Sequence, residues 1–353
     1  MCHHISNNRK HRCLFCKNIE IHGVESANIA ELCFPHLLNA SCRRLIRPRS
    51  EAVLLYILLS FISLLTVALN LLVIISISHF RQLHTPTNLL LLSLAVSDFF
   101  VGLLLMPGQI LLIGSCWFLG DFMCGLFYYN SFILTSASVG NMVLISVDRY
   151  VAICDPLYYS TKVTQKRVKI CVCLCWTCSA LYNCLILKDF LRQPNRYNSC
   201  YGECLFVLNY IAGAVDLLLT FFGPITVIIV LYMRVFVVAV SQARAMRSHI
   251  VSVTLQPSGT GTAKKSELKA ARTLGIVIVV FLVCFCPYYC PSLAGQDIST
   301  GALFSTFGIW LLYFNSCLNP VIYALFYPWF RKSIKLIVSL QILQPDSCGT
   351  NIL

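Results

Sequence analysis

The chain has 353 residues, of which 58% are hydrophobic and only 12% are charged, and its mean hydropathy is +0.75; a soluble domain carries roughly 25% charge. This balance excludes a disordered or nucleic-acid-binding chain. The formal charge of +13 and the 20 cysteines are therefore read against a membrane protein, the first as an asymmetry between loops and the second as mostly buried thiols.

The tail comes first. Met1 to Ser50 contains no apolar core of about 7 to 15 residues, so no cleavable signal peptide is expected and the first span serves as signal anchor. Met1 to Glu25, with Cys2, His3, His4, Cys13 and Cys16, fits no interpretable pattern, and a disordered tail or a misassigned start is expected rather than a metal site. Asn39-Ala40-Ser41 is a glycosylation sequon, useful only outside the cell.

A spanning helix needs about 20 apolar residues. Intervals free of Asp, Glu, Lys and Arg run from Ala52 to Phe80, Phe122 to Val147, Ile170 to Leu187, Thr273 to Gln296 and Ile298 to Phe330. Two more, Gln82 to Gly120 and Cys204 to Met233, are each interrupted by one acid, Asp98 and Asp216. Lipid offers the backbone no hydrogen-bond partners and the alternation of a barrel is missing, so seven helices are predicted. The fold class is an all-α membrane protein: a tail over 1–51, a seven-transmembrane helix bundle over 52–327, and an amphipathic helix with a C-terminal tail over 328–353.

Orientation follows from the loops. One side carries Arg81, then Arg149, Lys162, Lys166, Arg167 and Lys169, then Arg234 to Arg272, then Arg331, Lys332 and Lys335; the other holds Lys188, Arg192 and Arg196. The basic side is expected in the cytosol, facing anionic lipids, with the C-terminus there and the N-terminus outside in the plasma membrane. Arg43, Arg44, Arg47 and Arg49 argue the other way for the first span alone, but the sequon opposes them. Thr254 to Lys265 is a flexible loop between spans five and six.

An ionised side chain inside a bilayer is costly, so both buried acids are candidate functional sites. Asp98 shares the midplane with Asn70, Ser138, Asn315, Ser316 and Asn319; this set can hold a hard monovalent cation such as sodium or trade hydrogen bonds between helices. At the end of the third span stands Asp148-Arg149-Tyr150. Asp148 can hold Arg149, which could also reach Glu267, and breaking such pairs would free a cavity for a cytosolic partner. Pro320, in Asn319-Pro320-Val321-Ile322-Tyr323, breaks the helical ladder of the last span. Trp329 to Val338 then reads as an amphipathic segment on the inner leaflet.

Together these features resemble the rhodopsin-like G-protein-coupled receptors over Ala52 to Val338. Asn315-Ser316-Cys317-Leu318-Asn319-Pro320-Val321-Ile322-Tyr323-Ala324-Leu325-Phe326-Tyr327-Pro328-Trp329-Phe330 resembles the fingerprint of the trace amine-associated receptors. His84-Thr85-Pro86-Thr87-Asn88 and Thr273-Leu274-Gly275-Ile276-Val277 support it. The resemblance implies a small-molecule amine ligand, a heterotrimeric G protein of the stimulatory kind acting through cAMP, olfactory neurons as the usual setting, and Tyr232 and Tyr323 as further parts of the G-protein switch. It also implies a Cys124–Cys204 disulfide and a second bridge from the tail to Cys200, by Cys42 or alternatively Cys33. Cys171, Cys173, Cys175, Cys178 and Cys184 are expected as small packers within the membrane.

The chain departs from most aminergic relatives at Ser131, where they carry an Asp 18 residues before the Arg of the Asp-Arg-Tyr motif. Asp216 lies eight residues before Pro224, about 12 Å outward of it at 1.5 Å rise. It is the expected replacement, facing Ser131 if it points inward, and the same shift resembles a teleost branch of these receptors. Tyr128, Thr135, Phe285, Tyr288, Tyr289, Trp310 and Tyr313 complete the expected cage by family position, since ring faces attract cations. Phe285 replaces the Trp of a Cys-Trp-x-Pro switch. The competing readings are a receptor for a non-amine ligand, with Asp216 structural, and a seven-helix transporter with the two acids on an ion path. No enzyme chemistry is expected, since the spans offer no nucleophile with its base and no metal-ligand cluster.

Overall fold

The structure is a computed structural model, and it describes residues 30–37, 40–45, 49–113, 116–196, 198–208, 210–252, 275–289, 302–344 and 347–352. The sequon Asn39, the candidate lock residue Glu267, the loop 253–274 and the first 29 residues lie outside the described residues. Seven apolar helices form the bundle. They are α1 (Arg49–His79), α2 (Pro86–Ile113), α3 (Gly120–Cys154), α4 (Gln165–Ile186), α5 (Tyr210–Ser241, continuing to Ser252), α6 (Gly275–Tyr289) and α7 (Ala302–Phe326). Six are long enough to cross a membrane and α6 is shorter over its described length. The amphipathic helix α8 follows at Pro328–Val338.

Local chemistry sets these boundaries. Thr85 caps α2 by accepting from the Asn88 amide at 3.2 Å, with Pro86 at the first helical position, where its missing N–H costs nothing. Thr164 caps α4 in the same way. At the junction of α7 and α8 the Arg331 guanidinium donates to the Ala324 and Leu325 carbonyls at 3.1 and 2.8 Å, satisfying acceptors that a helix end leaves open. Trp329, Phe330 and Ser333 are buried while Arg331 is exposed, as an amphipathic helix requires.

Four prolines lie inside the described spans, and the accommodation is visible at three of them, in α2, α5 and α7. A proline inside a helix clashes with the carbonyl four residues earlier and cannot bond to it. In α2 and α5 a π-helical segment, Val101–Leu105 before Pro107 and Leu217–Phe222 before Pro224, absorbs the conflict. In α7 the orphan carbonyl is that of Ser316, four before Pro320, and the Asn70 amide from α1 donates to it at 2.9 Å. The carbonyl that Pro320 leaves open thus becomes a bond between α1 and α7.

Large apolar side chains such as Leu54, Phe61, Leu64, Leu181 and Val237 are exposed, which suits hydrocarbon and not water. Cys171, Cys173, Cys178 and Cys184 share that outward face. Cys175 packs inward, its sulfur 2.4 Å from where a Cβ on Gly140 would stand, so α3 and α4 approach closely only because that residue is glycine.

One end of the bundle is stapled. The tail forms an antiparallel hairpin of β1 (Ala30–Leu32) and β2 (Arg43–Leu45). Disulfides join Cys124 to Cys204 and Cys42 to Cys200. Cys33, the alternative partner for Cys200, is instead bound to Cys116, 83 residues away. The reason is register: Cys33 donates its amide to the Cys42 carbonyl at 2.9 Å, so the two cysteines sit side by side and reach different loops. Non-reducing peptide mapping should recover a Cys33–Cys116 cross-link. Cys33→Ser should lower thermal stability by about 2–5 kcal/mol; recovery of a Cys33–Cys200 peptide would contradict the pairing.

Candidate functional site

Asp216 sits one residue before the π-helical segment of α5 and is only 8% exposed, so its carboxylate is turned into the protein. Its main-chain carbonyl accepts from the Thr220 hydroxyl one turn on. The acid's Oδ1 accepts from the Tyr182 phenol of α4 at 3.3 Å. Tyr288 and Tyr289 of α6 lie within electrostatic reach of the carboxylate. Tyr289 stacks on Phe221 with centroids 4.5 Å apart, and Tyr288 meets Tyr289 edge-on at 4.8 Å. A buried carboxylate with aromatic side chains in its neighbourhood is suited to a cation leaving water.

The remaining expected ligand residues divide into three places. Ser131 bonds to the Tyr313 hydroxyl at 3.0 Å, joining α3 to α7. Among the described residues no bond joins Ser131 to Asp216. Tyr128 stacks on Phe206 at 4.9 Å and donates to the Cys204 carbonyl at 3.4 Å, and Phe190 packs on both rings. Phe285 is buried against Phe281 with centroids 4.0 Å apart, deeper than the tyrosines. Thr135 and Trp310 are half-buried, and the Trp310 indole N–H has no protein partner.

At the midplane Asp98 is fully buried. Ser316 and Asn319 each donate to one of its oxygens at 2.8 Å, and Ser138 bonds to Ser97 at 3.0 Å. Asn70, Asn315 and Asn319 each keep a buried carbonyl oxygen without a protein partner, as does the Tyr323 hydroxyl. Hard oxygen donors thus converge from α1, α2, α3 and α7, a composition fitting a monovalent cation or a hydrogen-bonded switch.

At the opposite end from the disulfides, Arg149 bonds to Asp148 through Nε at 2.9 Å and Nη2 at 2.5 Å. Thr87 of α2 donates to Asp148 Oδ2 at 3.0 Å and accepts from Arg149 at 2.5 Å. Tyr159, on the short helix Pro156–Lys162, donates to Asp148 Oδ1 at 2.9 Å. Burial pushes the Tyr159 phenol above its ordinary value, so it remains a donor at neutral pH. Arg149, Thr87, Ala152 and Tyr159 line an open cavity of about 460 Å³. Tyr150 packs on Val235 and Ile153. Tyr232 lies against Gly275 of α6, where an added Cβ would be 1.8 Å from its hydroxyl. Gly275→Ala should therefore destabilise the resting receptor by about 1–3 kcal/mol, visible as a lower Tm in detergent; an unchanged Tm would mean that Tyr232 moves aside freely.

Sequence reasoning missed Tyr182, Phe206, Thr87 and Tyr159. Thr220, four residues after Asp216 on its helix, could have been found from that spacing; the others act across helices and leave no local pattern.

A family model for the 7 transmembrane receptor (rhodopsin family) matches residues 69–323, which defines the class that this bundle and its polar network already suggest. The chain is 39% identical to trace amine-associated receptor 13c of Danio rerio over 92% of this chain and 96% of that protein. It is 38% identical to trace amine-associated receptor 5 of Rattus norvegicus, over 88% and 93%, and 37% identical to trace amine-associated receptor 1 of Mus musculus, over 88% and 96%. The chain belongs to the trace amine-associated receptors of the rhodopsin family, and it is not an enzyme.

Proposed function

We propose that the protein is a receptor for small amines, volatile or biogenic, that binds their ammonium group at Asp216 and signals through a stimulatory G protein and cAMP. The observation that carries this reading is the buried Asp216 carboxylate, which has no cationic partner among the described residues and lies within electrostatic reach of Tyr288 and Tyr289. An ionised carboxylate out of water is costly on its own, and an ammonium guest that brings the opposite charge offsets that cost. The names of the relatives, trace amine-associated receptors, support the same class of ligand. Olfactory neurons are the setting we propose from that kinship.

The three disulfides at one end fit an oxidising exterior, and the Arg- and Lys-rich loops at the other fit the cytosol. The N-terminus is then extracellular, with Asn39 available for glycosylation, and the C-terminus cytosolic, in the plasma membrane. Asp98, Ser138, Asn315 and Asn319 would hold a sodium ion in the resting arrangement. The ammonium, held by Asp216 near Tyr288 and Tyr289, with the rest of the guest toward Tyr128, Trp310 and Tyr313, favours an arrangement in which α6 swings about Pro287. The Asp148–Arg149 cluster then opens to the G protein.

Cells carrying the receptor and a cAMP reporter, exposed to alkylamines of graded length and to their neutral alcohol isosteres, test the reading. A response to amines alone is expected. An equal response to the alcohols would contradict it.

A further inference from the structure

We propose that residues 347–352 form a clasp docked on the loop between α1 and α2, Arg81–Leu83, and that through this loop the clasp strengthens the Asp148–Arg149 restraint on basal signalling. The proposal rests on reading the Asp148 cluster as the restraint of a receptor that couples to a G protein. After α8 ends at Val338 the chain turns back. Leu340 takes a left-handed backbone at φ 58°, which a non-glycine residue adopts only at a cost, and short turns at Gln341–Leu343 and Ser347–Gly349 carry the segment to the end of α1. The contacts made there offset that cost. Ser347 Oγ donates its one proton to the Ile342 carbonyl at 2.7 Å, so in its 2.9 Å contact with His79 of α1 the hydroxyl accepts and the ring Nε2–H donates. The Ile352 amide donates to Gln82 Oε1 at 3.2 Å. Ile352 itself is fully buried, in the same apolar cluster as Phe80 and Leu83, and burial of an aliphatic side chain is the main attraction of such a seat.

The loop passes the constraint on. Leu83 is fully buried, and its carbonyl accepts from the Asn88 side chain at 2.9 Å and from the Thr85 amide at 2.8 Å, which ties Arg81–Leu83 to the first turn of α2. Thr87 stands in that turn, and its hydroxyl bonds to both Asp148 and Arg149. A loop released from its clasp leaves Thr87 less firmly placed, so the resting arrangement loses part of its advantage.

The test uses the full-length receptor, with basal cAMP measured per receptor at the surface. Ile352→Asp puts a charge into an apolar seat, and deletion of residues 347–353 removes the segment; each should raise basal output about two- to threefold, a smaller step than Asp148→Asn gives. Asn351→Asp adds the same charge on an exposed neighbour and should leave basal output unchanged. In hydrogen exchange on the purified receptor the Ile352 amide should be protected, and Gln82→Ala should speed its exchange. Basal output at or below wild type in either Ile352→Asp or the deletion, an equal rise in Asn351→Asp, or an Ile352 amide that exchanges at the rate of an open chain overturns the proposal. Asp148→Asn in parallel separates the two levels. If that variant leaves basal output at the wild-type level, the restraint itself fails and the clasp's role with it; if it raises basal output while Ile352→Asp and the deletion do not, only the clasp's role fails.

Discussion

Asp216→Ala is expected to abolish amine responses while surface expression stays near the wild-type level. Removing one partner of a buried charge pair costs about 3–5 kcal/mol, which lowers potency by about two to nearly four factors of ten. Expression should survive because the residue's own ties are to single neighbours, Tyr182 and Thr220, and an alanine leaves no stranded charge. Ser131→Ala is the contrast. Its hydroxyl makes one neutral bond, to Tyr313 at 3.0 Å, and such a bond contributes about 0.5–1.5 kcal/mol, so potency should fall less than tenfold. A response to amines that outlives Asp216→Ala would remove the counter-ion from this site.

Asp148→Asn is expected to raise signalling in the absence of any amine. Asp148 is 2% exposed and holds Arg149 through two guanidinium contacts, with Thr87 and Tyr159 filling its other acceptor positions. Charge-assisted bonds of this kind are worth about 1.5–3 kcal/mol, and a change of that size moves a two-state equilibrium by about a factor of ten or more. The amide keeps the shape and loses the charge, so Arg149 is released without a cavity. Basal cAMP, measured per receptor at the surface, should rise several-fold. Basal output equal to wild type would mean that the Asp148 cluster does not restrain the receptor.

The bundle was legible because long apolar intervals bounded by charges are a strong signal, and the helices begin and end close to those charges. The second span is the instructive difference. Its apolar interval, interrupted only by Asp98, runs to Gly120, yet the helix ends at Ile113, because Cys116 and Trp117 are drawn into the stapled end by the bond to Cys33 and by the Trp117 amide donating to the Gly202 carbonyl at 2.7 Å. Hydropathy cannot register a disulfide. The acids Asp98 and Asp216 announced themselves by charge in apolar surroundings, but their partners did not. Tyr182 is one aromatic residue in a cysteine-rich span, and only the packing of α4 on α5 makes it a donor to Asp216. Thr87 likewise looks like an ordinary helix-start residue until α3 brings Asp148 beside it. Glycine at position 275 carried no visible meaning before Tyr232 was found against it.

The most direct measurement is a density map of the receptor bound to the most potent alkylamine. The nitrogen should lie about 3 Å from a carboxylate oxygen of Asp216, the spacing of a charge-assisted hydrogen bond, with the alkyl part against Tyr288 and Tyr289. A nitrogen seated by Ser131 and Tyr313, with Asp216 touching only Tyr182, would contradict the account.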